Sequence, residues 1–214
     1  MGEATDWDIA EKSLQTVLNA SKKEYYVAEG EGAFYGPKVD ILVKDSLGRE
    51  WQTGTIQLDY QQPKNFKIHY IDGTGSEITP AVIHRAIYGS FERFLGILIE
   101  HYEGKLPVWL MPVQVQIIPV SDKFSGFADK VVKALKDEGI RVESDYSNNT
   151  LSAKIREATL QKVPYMCIIG GQEEEKSKDG NLMVSVRGRG GKDLGMIAIK
   201  EFIIQIQKEI ETKH

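Results

Sequence analysis

Apolar positions between residues 5 and 21 recur with a helical period, placing Trp7, Ala10, Leu14, Val17 and Leu18 on one stripe. This spacing predicts an amphipathic helix with Thr5 as its N-cap and acidic side chains in its first turn. From residue 33 the period shortens to two. Two runs rich in β-branched and aromatic residues flank the turn "DSLGRE", which predicts a hairpin. "PAVIHRAI" predicts a further strand, broken by "GS", and Ser90 can cap the helix "FERFLGILIEHYEG" that follows. Strands with helices packed on them make the first half an antiparallel α+β pattern.

The second half alternates differently. Strands are predicted at "VQVQIIPVS", "IRVESDYS", "VPYMCIIGG" and "NLMVSVRGRGG", the last running into a glycine-rich turn. Helices are predicted at "DKFSGFADKVVKALKDEG", "TLSAKIREATLQK" and "AIKEFIIQIQKEIET", and "EEEKSKDGN" reads as an exposed loop. Strand–helix–strand alternation implies an α/β sheet with parallel pairs and crossover connections.

Some polar residues interrupt these patterns. In "WQTGTIQLDY" the two-residue period puts Thr53, Thr55, Gln57 and Asp59 on one face and Gln52 on the other. Such a face is either simply solvated or hydrogen-bonds a small polar ligand, with Gly54 as a point of close backbone approach. Arg93 stands in the first turn of its helix, where the helix dipole disfavours a cation. Its apolar neighbours Phe91, Phe94 and Leu95 suggest a partly buried turn, and a buried guanidinium beside a helix N-terminus suits a phosphate. His84 lies on the preceding strand. A zinc site needs at least three protein ligands, and His69, His101 and Cys167 show none of the short ligand spacings. "GEGAFYGPKVD" lacks the Gly-Lys-Ser/Thr ending of a P-loop, and Cys167 in its apolar strand reads as inert core.

Bulk properties narrow the class. The 214 residues are 41% hydrophobic and 27% charged, ordinary for a globular chain long enough for two domains. No apolar run approaches the roughly 20 residues that span a bilayer, and a single cysteine fits a reducing, cytoplasmic setting. The net charge of −4 argues against sequence-blind nucleic-acid binding on a large basic surface, without excluding a local RNA site. Residues 1–108 carry 11 Lys and Arg against 16 Asp and Glu, a net of −5, whereas residues 109–214 carry 16 against 15, a net of +1. The change falls at "GKLPVWLMP", which places a domain boundary near residue 108.

"GEGAFYGPKVD", "WQTGTIQLD" and "VIHRAIYGSFERFLGILIEHYEGKLPVWLMPVQV" together resemble the threonyl-tRNA synthetase family of class II aminoacyl-tRNA synthetases, and the likeness covers essentially the whole chain. The resemblance implies that 1–108 is the C-terminal part of an antiparallel-sheet catalytic domain. It implies that 109–214 is an α/β anticodon-binding domain with a mixed five-stranded sheet. "GSFERF" is similar to the third class II motif, so Arg93 would contact the ATP phosphates in a catalytic role. Gln52, Thr55 and Gln57 would line the threonine and adenylate pocket, with Tyr35 and Lys38 near its edge. His84 would be one zinc ligand, and Asn148, Arg156, Glu173 and Arg187 would read the anticodon. The implied chemistry is ATP- and Mg2+-dependent activation of threonine, then transfer to its tRNA, with Zn2+ selecting threonine in a full-length homodimer.

The first two class II motifs, the other zinc ligands and the editing region of that family have no counterpart here. The chain is therefore expected to be the C-terminal portion of a larger enzyme, inactive by itself, with no membrane association. A non-catalytic RNA-binding module and a synthetase-derived accessory subunit are the alternatives. Prolyl and glycyl synthetases share the fold, but "WQTGTIQLD" followed by "IHRAI" fits the threonyl family better.

Overall fold

The computed structural model describes residues 3–177 and 180–213. The chain divides into two compact units, 1–101 and 102–214.

The first unit opens with α1 (Ala4–Ser21), whose stripe buries Ala10 and half-buries Trp7, Leu14 and Leu18, while Val17 stays exposed. Thr5 is not its cap. Asp6 and Trp7 donate their N–H groups to the Glu3 carbonyl, so Glu3 already starts the ladder and Thr5 lies inside the helix. The predicted hairpin forms from β1 (Lys38–Lys44) and β2 (Glu50–Asp59). After it come α2 (Gln61–Asn65) and a small antiparallel pair, β3 (Tyr70–Ile71) with β4 (Glu77–Ile78), which the two-residue period was too short to reveal. β5 (Val82–Ala86) pairs with β2 to complete an antiparallel sheet of order β1-β2-β5, and α3 (Phe91–His101) follows.

The second unit is built on β6 (Val115–Pro119), every residue of which is buried. Then come α4 (Ser125–Asp137), β7 (Val142–Ser144), α5 (Leu151–Leu160), β8 (Tyr165–Ile169), α6 (Gly171–Lys176), β9 (Met183–Gly188), β10 (Asp193–Ala198) and α7 (Ile199–Thr212). The sheet order is β10-β9-β8-β6-β7, with β6 parallel to β7 and β8, and β9 antiparallel to β8 and β10: a mixed five-stranded sheet. α6 occupies part of the segment expected to be a loop, whose positions 178 and 179 lie outside the described residues. β10 was hidden because a bulge at Leu194, between Asp193 and Gly195, interrupts its alternation.

One sheet face packs against α4 through Phe127, Val131 and Leu135 and against α7 through Phe202, Ile203 and Ile206, both at helical spacing. The other face packs Ile118 and Met166 against Ala158 of α5 and Val163 just beyond its end. Residues 102–108 go with this unit because its side chains take up their carbonyls. The Arg189 guanidinium donates to the carbonyls of Lys105 and Leu106, and Gln114 Nε2 donates to that of Val108. Among the described residues, the fully buried large apolar side chains all belong to the second unit. The first unit instead exposes Ile83, Ile87, Tyr88 and Phe91, so it draws less of its stability from apolar burial than the second unit does.

Candidate functional site

A β-bulge decides which side chains share the polar face of the first unit. Along β1 and β2, Lys38 faces Gln57 and Asp40 faces Thr55, but then Ile41 faces Gly54 while Leu42 faces Gln52. Thr53 is the extra residue. Because β1 itself is regular, the inserted residue switches the parity of β2. Gln52 therefore joins Asp40, Thr55 and Gln57, and its Nε2 donates to Asp40 Oδ1 at 2.8 Å. Thr53 leaves that face, is 6% exposed, and donates its hydroxyl to the Ile41 carbonyl at 3.3 Å. Simple alternation had put both residues on the wrong sides.

The same face continues onto β5, where His84 opposes Gln57 and Ala86 opposes Thr55. Tyr35 donates its hydroxyl to Gln57 Oε1 and lays its ring 5.4 Å from the His84 ring, centre to centre. Lys38 pairs with Asp40 at 2.7 Å. Asp59 closes the row: fully buried, it accepts the backbone N–H groups of Gln61 and Gln62, and His84 Nε2 lies 3.0 Å from its Oδ2. Burial pushes its carboxyl up, but the N–H of Gln62, the His84 ring and the N–H of Gln61 together outweigh that and hold it below the usual aspartate value. Thr55 Oγ1 is buried without a protein partner, alone in this among buried side-chain polar atoms of the described residues. Such a group costs about 1–3 kcal/mol unless something bound to the face satisfies it.

Arg93 sits beside this row. Ser90 caps α3 as expected, its Oγ accepting the Arg93 N–H at 3.1 Å, and Arg93 Nη1 lies 3.4 Å from the Gln52 carbonyl. The start of the helix is less buried than its apolar residues suggested: Phe91 is 71% exposed, Leu95 is 40% exposed, and Arg93 is exposed too. Gly89 makes the close passage possible. It has φ +66°, and a Cβ there would lie 3.0 Å from the Thr53 carbonyl oxygen, at the bulge. Tyr35, Lys38, Gln52, Thr55, Gln57, His84 and Arg93 are thus gathered at one face of the first unit, with Asp40 and Asp59 as the acids that hold them.

In the second unit the four remaining candidates are more dispersed. Asn148 is exposed in the turn between β7 and α5, and Arg156 is exposed on α5. Arg187 is half-buried on β9, opposite Met166 and Asp193. Glu173, in the first turn of α6, is only 7% exposed, and each of its carboxylate oxygens is engaged: Oε2 accepts the Gly170 N–H at 2.8 Å and Oε1 accepts the Ser185 hydroxyl at 2.5 Å. The turn bearing Asn148 has an unexpected support in Lys154. Its side chain is buried, and Nζ donates to the Asp145 carbonyl at 3.0 Å. The signal for it was present in the sequence, since Lys154 falls on the same helical stripe as Leu151 and Ala158. Cys167 is fully buried and burial pushes its thiol up, as expected of inert core.

Zinc is not a fit for these residues alone. Among the described residues no three His, Cys, Asp or Glu side chains come together, and His84 has one ring nitrogen committed to Asp59. No described helix is long and apolar enough to cross a membrane.

Comparison with known proteins places both units. Residues 6–102 match the family model of the tRNA synthetase class II core domain (G, H, P, S and T), and residues 114–209 match that of the anticodon binding domain. Over 213 residues the chain is 51% identical to a threonine--tRNA ligase of Clostridium botulinum and 47% identical to that of Clostridium tetani. The chain belongs to the threonyl-tRNA synthetase family. All of it is covered in both alignments, but it spans only 33% of the length of each of these relatives. Among solved structures, the RNA binding domain of threonyl-tRNA synthetase from Cryptosporidium parvum Iowa II superimposes with a TM-score of 0.86 at 36% identity, covering 98% of this chain and 52% of that one. Prolyl-tRNA synthetase from Cryptosporidium parvum follows with a TM-score of 0.65 at 26% identity, covering 86% and 39%. The threonyl family is thus nearer than the prolyl one, in keeping with "WQTGTIQLD" and "IHRAI".

Proposed function

We propose that the chain is the part of a threonine–tRNA ligase that completes the adenylate pocket and reads the anticodon. The observation that carries this is the bulge-built face, where an orphaned Thr55 hydroxyl lies among Gln52, Gln57, His84, Lys38 and Tyr35, with Arg93 alongside. The amide groups of Gln52 and Gln57 and the Thr55 hydroxyl would hold the polar atoms of threonine and of the adenylate. Arg93, at the capped start of α3, would neutralise the phosphates together with the N-terminal N–H groups of that helix. Its exposure leaves the guanidinium free to meet them. Catalysis of this kind is positioning and charge stabilisation. In the longer protein His84 would supply one zinc ligand, the others coming from outside this chain.

In the second unit, Asn148, Arg156 and Arg187 would read the edges of splayed anticodon bases, with Glu173 presenting the lone pairs that Gly170 and Ser185 leave unused. The partner is then threonine tRNA. The core of this unit is complete, so RNA reading is the part of the activity that the chain can carry by itself.

The test of the pocket is threonine-dependent pyrophosphate exchange in the longer protein. Thr55→Val removes only the orphaned hydroxyl and should lower kcat/KM for threonine by on the order of tenfold. Arg93→Ala should lower it further, and the chain alone should show no exchange. Unchanged kinetics in both variants would overturn the pocket.

A further inference from the structure

We infer that Asp59 is a positioning residue for His84: its buried carboxylate fixes the imidazole with a hydrogen on Nε2, so that Nδ1 is the nitrogen offering an electron pair to whatever binds the sheet face. This rests on the reading that the face is a substrate pocket. The geometry supplies each step. Asp59 stands at the end of β2, fully buried, with Oδ1 pinned by the N–H groups of Gln61 at 2.8 Å and Gln62 at 2.9 Å. The carboxylate cannot swing away without stripping both N–H groups at the start of α2. Its other oxygen, Oδ2, is therefore held 3.0 Å from His84 Nε2.

A carboxylate only accepts hydrogen bonds. The hydrogen between the two groups must then belong to Nε2. Were the ring protonated on Nδ1 alone, the Nε2 lone pair would face the buried carboxylate and leave it short of a partner, at the cost that attends any unpaired buried charge. The rest of the ring is steadied by Tyr35, 5.4 Å away centre to centre, whose hydroxyl is in turn held by Gln57. The His84 side chain remains 36% accessible, which leaves a way in to the other nitrogen. Asp59 thus converts a rotatable, two-tautomer ring into a directed donor of one lone pair, as second partners of functional histidines do.

The test uses the 15N-labelled chain and needs no ligand. Long-range proton–nitrogen correlation above the titration range of histidine should show His84 protonated on Nε2, with a hydrogen protected from exchange, unlike the solvent-exposed His69. Asp59→Asn keeps an oxygen for the N–H groups of Gln61 and Gln62 and turns an NH2 toward Nε2. The hydrogen should move to Nδ1. An His84 hydrogen on Nδ1 in the unsubstituted chain, or one on Nε2 that exchanges as fast as that of His69, overturns the inference even if the variant does not fold. So does a folded variant whose tautomer is unchanged. In the longer protein, Asp59→Asn should cost on the order of tenfold to a hundredfold in kcat/KM. If the tautomer inverts while exchange activity does not change, the positioning stands and the substrate-pocket assignment of the face falls.

Discussion

Glu173→Ala probes whether the carboxylate of α6 braces the second unit as its geometry requires. Glu173 is 7% exposed and binds two donors from different elements, the Gly170 N–H at 2.8 Å and the Ser185 hydroxyl on β9 at 2.5 Å. Truncation leaves the Gly170 N–H buried and unpaired, a loss of about 1–3 kcal/mol. The Ser185 hydroxyl can turn elsewhere, so its lost bond adds only about 0.5–1.5 kcal/mol. The sum is about 1.5–4.5 kcal/mol. For a domain near this size each kcal/mol moves the Tm by about 4–8 °C, so the second unit should melt roughly 6–36 °C lower. Glu173→Gln keeps an acceptor for Gly170, and the Ser185 hydroxyl can accept from the new NH2, so it should cost under about 1 kcal/mol. A double-mutant cycle with Ser185→Ala should return a coupling of about 1 kcal/mol. Calorimetry of the four proteins decides the matter. An unshifted melting temperature in Glu173→Ala, or equal damage from Gln and Ala, would refute the brace. The Gln variant then separates stability from recognition, since it should stay folded yet bind the cognate anticodon loop more weakly.

Other expectations follow from single features. A Cβ on Gly36 would lie 1.8 Å from the Leu58 carbonyl oxygen, so Gly36→Ala must push the segment bearing Tyr35 off β2. It should cost about 1–3 kcal/mol or more and break the Tyr35–Gln57 hydrogen bond, and an unaltered first-unit melt by circular dichroism would contradict this. Tyr165 is pushed up to about 12 by burial and by the Glu209 carboxylate that accepts its hydroxyl. The fold therefore favours its neutral form, and the stabilisation is complete below about pH 10 and lost as pH rises toward 12. Tyr165→Phe should flatten that part of the alkaline melting profile of the second unit, and an unchanged profile would count against it. The first unit, with its exposed Ile83, Ile87, Tyr88 and Phe91, should melt below the second and bind a hydrophobic dye before it does. A single cooperative transition of the whole chain would contradict that order.

How much of this was legible in the sequence varies with the physics that set each feature. Helices α4, α5 and α7 of the second unit were plain because their stripes bury at regular spacing, as at Phe202, Ile203 and Ile206 of α7, whereas the six-residue α6 was too short to show one. Strands β6 and β8 were plain because they are short apolar runs buried on both faces. The sheet face of the first unit was visible only in part. Thr55, Gln57 and Asp59 stood out by their two-residue period, but a bulge is a register event between strands, and no one-strand pattern encodes it. Gln52 could be placed with them only by the family resemblance. Thr5 illustrates a different limit, since the cap lies two residues earlier, where the Glu3 carbonyl starts the ladder first. The exposure of Phe91 and Leu95 misled for a third reason: an apolar residue reports what the whole protein buries, and this chain is a third of the length of its relatives.

The central claim is that the second unit reads an anticodon by itself, and binding measures it most directly. The chain would be titrated by fluorescence anisotropy, at fixed moderate salt, against a threonine tRNA anticodon stem-loop and against the same stem-loop with its anticodon bases exchanged. The account predicts tighter binding to the native loop by on the order of tenfold or more, with that preference lost in Arg187→Ala. Equal affinity for both loops, or a preference that survives Arg187→Ala, would contradict it.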